Sequence, residues 1–253
     1  PLALEKTTKI IHIDIDPAEI GKNIGADLPL VGDAKLVLQQ MTELAKPMKH
    51  DEWIAHIKTL GGERKYVEPA KGTVNPRVFI DRLAKKMPAN VTVVADVGQN
   101  QIWTCTEYKF RKEGRLLTSG GMGTMGYSVP AAIGAKMADN SRATVAICGD
   151  GAFQMSFMEL ATAVQFGVDI KVVVMTNNRL GMVRELQTNG YHDRQTAVFL
   201  DGSPDFIKLA EAYGIPAMRV YDDDTMEKGV EMLAEHKGIC LVEVVVDKDM
   251  PTL

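Results

Sequence analysis

Several things that would identify a chemistry cheaply are missing from this chain. Its three cysteines, Cys105, Cys148 and Cys240, show no C-x-x-C spacing. That excludes a disulfide scaffold or zinc ribbon, and leads to an expectation of buried thiols in a reducing, cytoplasmic compartment. The five histidines, His12, His50, His56, His192 and His236, contain no pair at metal-ligand spacing. There is no G-x-S-x-G elbow and no phosphate-loop lysine. No apolar run approaches the roughly 20 residues of a membrane span. Neither sign of charge dominates: 29 Lys and Arg face 33 Asp and Glu, a net charge of −4, so neither nucleic acid nor a membrane is expected as partner. The basic run Lys109, Arg111, Lys112, Arg115 reads as a solvated loop. Repeats and low-complexity tracts are absent too. What remains is an ordinary globular composition, 45% hydrophobic and 25% charged over 253 residues, enough for one large core or two modest ones.

The most informative stretch runs from Arg142 to Asn178. Arg142–Cys148 is a short apolar strand, as a strand buried on both faces should be. Gly149-Asp150-Gly151 follows, then a helix to Gly167, a strand Ile170–Met175 and Thr176-Asn177-Asn178. In a right-handed parallel crossover Asp150 and Asn177 both fall at the carboxyl edge of the sheet. Gly149 and Gly151 allow close backbone approach, and the helix offers free N–H groups to an anion. A carboxylate plus an amide oxygen is an incomplete oxygen shell, which Mg²⁺ completes with phosphate and water.

This stretch resembles the diphosphate motif of thiamine diphosphate enzymes without a gap. The longer text GDGAFQMSFMELATAVQFGVDIKVVVMTNNRLGMVRELQ is similar to the acetolactate synthase catalytic subunit nearly throughout. The resemblance implies Asp150 and Asn177 as side-chain Mg²⁺ ligands, with Arg179 adding a backbone carbonyl. It sets Gly151, Ala152, Leu180, Gly181 and Met182 about the cofactor, and implies no catalytic residue in this chain. Ser119–Gly126 holds a literal G-x-G-x-x-G, but only a weak strand, Leu116–Thr118, precedes it and the downstream acid of a dinucleotide site is missing. The stretch resembles instead the family's glycine loop, in which Gly123, Thr124 and Met125 border the aminopyrimidine. Gln99 matches the family's G-Q-H bend, where Asn100 replaces His. An amide there can bond a phosphate oxygen but cannot carry a proton.

Elsewhere the chain reads as alternating helix and strand. Lys9–Asp16 alternates as a strand before Pro17, which opens a short helix. Leu30-Val31-Gly32-Asp33 is a brief strand and Ala34–Leu44 a helix. Two such units need more sheet than they contain, so residues 1–46 read as the tail of a middle domain whose front half lies upstream of Pro1. Asp14 and Asp33, at strand ends, either cap helices or meet a ribose or adenine. The resemblance implies FAD in the full-length enzyme, bordered here by Asp14, Ile15, Asp33 and Ala34. Only part of that site is carried, so no flavin is expected on this chain alone. Residues 47–74 read as a linker with a helix Glu52–Leu60 and Gly61-Gly62. From Asn75, an N-cap to a helix opened by Pro76, five or six parallel strands are expected in one doubly wound α/β sheet over residues 75–253. These are Val91–Ala95, Arg142–Cys148, Ile170–Met175, Ala217–Val220, Ile239–Val246 and the weak Leu116–Thr118. Asn189–Val198 reads as a mobile loop, and Tyr221–Thr225 as a helix cap.

The resemblance covers nearly the whole chain, most tightly from Ser119 to Gln187. It implies decarboxylation of pyruvate and transfer of the two-carbon unit to a second 2-ketoacid, pyruvate or 2-ketobutyrate, in branched-chain amino acid biosynthesis. The activating glutamate would lie in a pyrimidine-binding domain outside this chain, so the piece alone is expected to be inactive. Its expected partners are its own missing N-terminal domains, a second copy in a homodimer and, in some members, a regulatory subunit. Leu186 stands where many members have Trp, which leaves the second ketoacid open. Two alternatives remain: another thiamine diphosphate-dependent decarboxylase, oxidase or acetyltransferase, and a non-catalytic binding module.

Overall fold

Short β-branched strands ended by small or polar residues dominate the architecture. The computed structural model describes residues 8–60 and 66–252, and the chain divides into two units between residues 64 and 65. Gly61-Gly62 lie outside the described residues.

The first unit pairs β1 (Ile11–Asp14) with β2 (Leu28–Val31) in parallel. It adds α1 (Ala34–Leu44) and α2 (Asp51–Leu60). Asp33 caps α1 by accepting the Leu36 N–H at 3.1 Å. The helix expected at Pro17 is absent. Asp16 instead accepts the Ala18 N–H at 2.8 Å, and a run of turns follows to residue 24. A short polar side chain that satisfies a nearby N–H competes with the helix.

The second unit holds a six-stranded, all-parallel sheet in the order β4-β3-β5-β6-β8-β7. These strands are β3 (Thr92–Ala95), β4 (Arg115–Thr118), β5 (Thr144–Gly149), β6 (Lys171–Thr176), β7 (Ala217–Val220) and β8 (Cys240–Val245). The helices are α3 (Pro76–Lys86), α4 (Gln99–Glu107), α5 (Ser128–Ala138), α6 (Asp150–Gln154), α7 (Leu160–Gln165), α8 (Gly181–Gly190), α9 (Phe206–Ala212) and α10 (Asp223–Glu235). Alternation along each strand feeds two buried layers. Val145, Ile147, Val173 and Met175 pack with Phe79, Leu83, Trp103 and Leu233 of α3, α4 and α10. Ala146, Cys148, Val172 and Val174 pack with Ile133, Phe153, Leu160 and Phe206 of α5, α6, α7 and α9. This is a doubly wound α/β layer arrangement.

The weak strand before the glycine loop is real as β4, and Asn75 caps α3 as expected, accepting the Arg77 and Val78 N–H groups at 2.9 and 3.3 Å. Three expectations need correction. The single helix from the Asp150 turn to Gly167 is instead α6, a 3₁₀ turn Phe157–Glu159 and α7. The break falls where the glycine loop presses on the chain: a Cβ on Gly126 would come within 3.0 Å of Met155 Cβ. The loop expected from Asn189 begins only after α8 ends at Gly190. Left-handed His192 and Asp193 follow, and Gln187 closes the turn by bonding the Thr196 backbone. Finally, Cys148 and Cys240 are buried, but Cys105 is exposed on α4.

Candidate functional site

The order of the sheet creates a crevice. From β3 the chain moves outward to β4, then returns across β3 to β5 and proceeds the other way. Accordingly α4, after β3, contributes Trp103 to one buried layer, and α6, after β5, contributes Phe153 to the other. Helices that leave adjacent strand ends for opposite faces open a topological switch point, where ligands of open parallel sheets bind. A cleft of about 110 Å³ lies there, lined from the ends of β3, β5 and β6 and from the glycine loop.

Asp150 sits at its floor, only 1% exposed. One carboxylate oxygen accepts the Gly151 N–H at 2.8 Å. The other accepts the Asn177 and Asn178 N–H groups at 3.1 and 2.6 Å. Burial nevertheless raises its pKa to about 6, against the lowering by these three bonds. A carboxylate has about four acceptor positions, so a lone pair remains for a cation, whose charge would offset the desolvation. Asn178 reaches the required turn only at a φ of 54°. Asn177 Oδ1 accepts the Arg179 N–H at 3.0 Å, and its Nδ2 donates to Gln99 Oε1 at 3.2 Å. Arg179 itself lies over the Phe199 ring and pairs with Asp201 at 2.8 Å.

Of the residues expected at a cofactor, Gln99, Asn100, Met125, Asp150, Gly151 and Ala152 line this cleft together with Asn177, Arg179, Leu180, Gly181 and Met182. At Gly151 and Gly181 a side chain would displace neighbouring side chains of the cleft. A Cβ on Gly151 would meet Leu180 Cδ2 at 2.8 Å, and one on Gly181 would collide with the Gln99 amide. The donor groups of Asn100 are committed: Nδ2 bonds the Asp96 and Ile147 carbonyls at 2.8 and 3.1 Å, stitching β3 to β5. A phosphate contact from that nitrogen would first have to break one of these bonds. Gly123 and Thr124 lie outside the cleft lining, on the exposed part of the loop. Gly123 and Gly126 hold φ of 63° and 83°, which explains the G-x-x-G pattern as backbone geometry.

Asp14, Ile15, Asp33 and Ala34 belong to the first unit. The Gly32 N–H donates to the Asp14 carbonyl at 2.9 Å, so both acids stand at the carboxyl edge of β1 and β2. Asp14 accepts the Asp16 N–H at 2.9 Å, Asp33 caps α1, Ala34 opens that helix, and Ile15 is exposed.

Sequence reasoning missed Asp96, whose carboxylate holds the glycine loop through the Gly126 and Ser128 N–H groups at 3.0 and 2.8 Å. Its place at the end of a buried strand, like that of Asp150, was the signal that could have found it. It also missed Glu185, Thr252 and Leu200, which reach the site only through tertiary structure.

The donor set suits a divalent cation bridged to phosphate: oxygen ligands, glycines where backbone must approach, and the N-terminus of α8 without a side-chain cap. Among the described residues, no group of three or more His, Cys, Asp or Glu could hold a metal unaided. A phosphate-completed shell is consistent with that.

Comparison with known proteins gives a consistent result. The family model for the thiamine pyrophosphate enzyme C-terminal TPP binding domain matches residues 96–244, and that for the central domain matches residues 1–41. The chain is 36% identical over 250 residues to the acetolactate synthase large subunit of Lactococcus lactis, covering 98% of this chain and 43% of that protein. It is 38% identical to a probable acetolactate synthase large subunit of Methanocaldococcus jannaschii, covering 94% and 42%. It is 40% identical to the acetolactate synthase of Mycobacterium leprae, covering 94% and 40%. The chain thus spans about two-fifths of the length of these curated relatives.

Proposed function

This chain belongs to the thiamine pyrophosphate enzymes, and from that premise we propose that it is the diphosphate-binding part of an acetolactate synthase. Asp150 and Asn177 would give side-chain oxygens to Mg²⁺ and Arg179 a backbone carbonyl, with Gly151, Ala152, Leu180, Gly181 and Met182 around the diphosphate. The observation that carries this is Asp150: a buried carboxylate at a switch point, braced by amides from two strand ends and left with a free lone pair.

When bound, the cofactor supplies the electron sink for decarboxylating a 2-ketoacid. The work of this chain is to anchor the diphosphate, support the ring with Met125 and keep the glycine loop in place through Asp96. The whole protein would pass a two-carbon unit from pyruvate to a second pyruvate or 2-ketobutyrate. Leu186, 61% exposed on α8, takes the position where many family members have Trp, which leaves the second ketoacid open. Asp14, Ile15, Asp33 and Ala34 would border FAD in the whole enzyme. A homodimer would cover Met122 and Val183, both exposed. No described helix is long and apolar enough to cross a membrane.

Calorimetric titration of thiamine diphosphate with and without Mg²⁺ tests the reading. Binding should require Mg²⁺ and vanish in Asp150→Ala. Equal affinity in the variant, or indifference to chelator, would overturn the metal assignment. Acetolactate formation by this chain alone should be negligible; robust turnover would overturn the assignment of the activating group to another domain.

A further inference from the structure

One side chain in the cleft faces two ways. Gln99, 4% exposed, spans from Asn177 to the last residues of the described chain. Its Nε2 lies at donor distance from three acceptors, the Met250 carbonyl at 2.9 Å, Thr252 Oγ1 at 3.1 Å and Glu185 Oε2 at 3.1 Å, which share its two hydrogens. Its Oε1 accepts from Asn177 Nδ2 at 3.2 Å. Thr252 is oriented in turn: its N–H donates to both Glu185 oxygens at 3.2 Å, and its hydroxyl donates to Glu185 Oε2. Trp103 Nε1 fastens the same segment through the Pro251 carbonyl at 3.1 Å.

Each link has a forced polarity. The Thr252 N–H and hydroxyl both donate to the Glu185 carboxyl group, so the hydroxyl oxygen is left to accept from Gln99. The Met250 carbonyl can only accept. The Gln99 amide therefore turns its NH₂ to the tail and its oxygen to Asn177. Asn177 then presents Nδ2 to Gln99 while its Oδ1 accepts the Arg179 N–H, and the two contacts favour the same orientation of the amide. A flipped Asn177 would offer N–H groups where a cation needs oxygen.

We infer that Glu185 and the C-terminal segment Met250–Thr252 are positioning residues. Through Gln99, and together with the Arg179 N–H, they hold the amide orientation in which Asn177 can ligate a divalent cation. This rests on the metal reading above and deepens it, because Gln99 then serves the site as an acceptor and gives no N–H to the diphosphate.

The test compares Gln99→Leu with Gln99→Glu in a Trp53→Phe background, leaving Trp103 as the sole tryptophan. Mg²⁺ is titrated at saturating thiamine diphosphate by calorimetry, and tail seating is read from Trp103 emission. Gln99→Leu removes the acceptor for Asn177 and should raise the Mg²⁺ midpoint about fivefold, the worth of one net hydrogen bond. Gln99→Glu keeps that acceptor, so its midpoint should stay at or below the parent's. Its second oxygen, however, faces Glu185 and the Met250 carbonyl, so the tail should lift and Trp103 emission shift to the red. If Gln99→Glu binds as poorly as Gln99→Leu or worse, Gln99 touches the diphosphate directly and the relay is wrong. An unchanged midpoint in Gln99→Leu, with Asp150→Ala still defective, overturns the relay and leaves the metal reading standing. A parent chain indifferent to Mg²⁺ overturns the metal reading and the relay with it.

Discussion

The two units use the same local grammar and reach opposite outcomes. In both, strands pair in parallel and a side-chain oxygen caps a helix: Asp33 for α1, Asn75 for α3, Asp222 for α10. Yet no described residue from 8 to 60 is buried, whereas the second unit holds two continuous buried layers. In α1, Leu36, Met41 and Leu44 stay exposed despite a segregated apolar face. Two strands cannot present an interior strand with helices on both faces; six can. Capping and turn chemistry shape elements, while stability comes from layers, at about 1.5–3 kcal/mol for each large side chain fully buried.

The sharpest way to break this contrast is to truncate one large side chain in each unit. Phe153 is fully buried and meets Phe206 edge-on at 5.3 Å. Phe153→Ala should cost about 3–5 kcal/mol in denaturant unfolding of the second unit. Leu44→Ala, at a position 84% exposed, should stay within about 0.5 kcal/mol. Comparable losses would mean that the first unit has a core of its own.

Titration separates the units by sign. The Asp150 pKa is raised to about 6 from 3.8, chiefly by burial. In the absence of divalent cation its contribution is fully present below pH 4 and is lost as pH rises through 6. The loss reaches about 3 kcal/mol, because a tenfold change in proton affinity is worth about 1.4 kcal/mol. Asp27 in the first unit behaves oppositely. The Ile10 N–H and then Lys9 lower its pKa, so its contribution is lost as pH falls. Chemical unfolding of parent and Asp150→Asn from pH 4 to 7 isolates the first effect. Identical pH slopes in the two proteins would show that Asp150 is not desolvated.

Legibility follows the same division. The βαβ unit around Asp150, the buried strands and the Asn75 cap could be read from sequence because each signal lies within a few residues of its effect. So could the convergence of Asp150 and Asn177, which follows from the handedness of one crossover. The break at Met155 could not, because what packs against it there, Gly126, comes from a loop remote in sequence. The Gln99 relay was hidden for a similar reason: it joins α4, α8 and the C-terminal segment, far apart in sequence. Asn100 was legible as a residue at the bend beside the cleft but not as a strand stitch. Only the structure shows both of its N–H groups taken by carbonyls.

The smallest expected effect tests whether equal caps have unequal consequences. Asn75 is buried, accepts two α3 amides and donates to the Val67 carbonyl at 2.8 Å. Asn75→Ala removes an N-cap, worth about 1–2 kcal/mol. Because α3 packs Phe79, Ile80 and Leu83 into a layer, that loss should appear as a lower global unfolding midpoint. Asp33→Ala deletes the same kind of bond to Leu36, but α1 buries no residue. Its loss should therefore appear as faster hydrogen exchange in the first turn of α1, with the unfolding midpoint of the second unit unchanged. A shift of that midpoint in Asp33→Ala would show that the two units unfold together, and the contrast between them would then be one of burial alone.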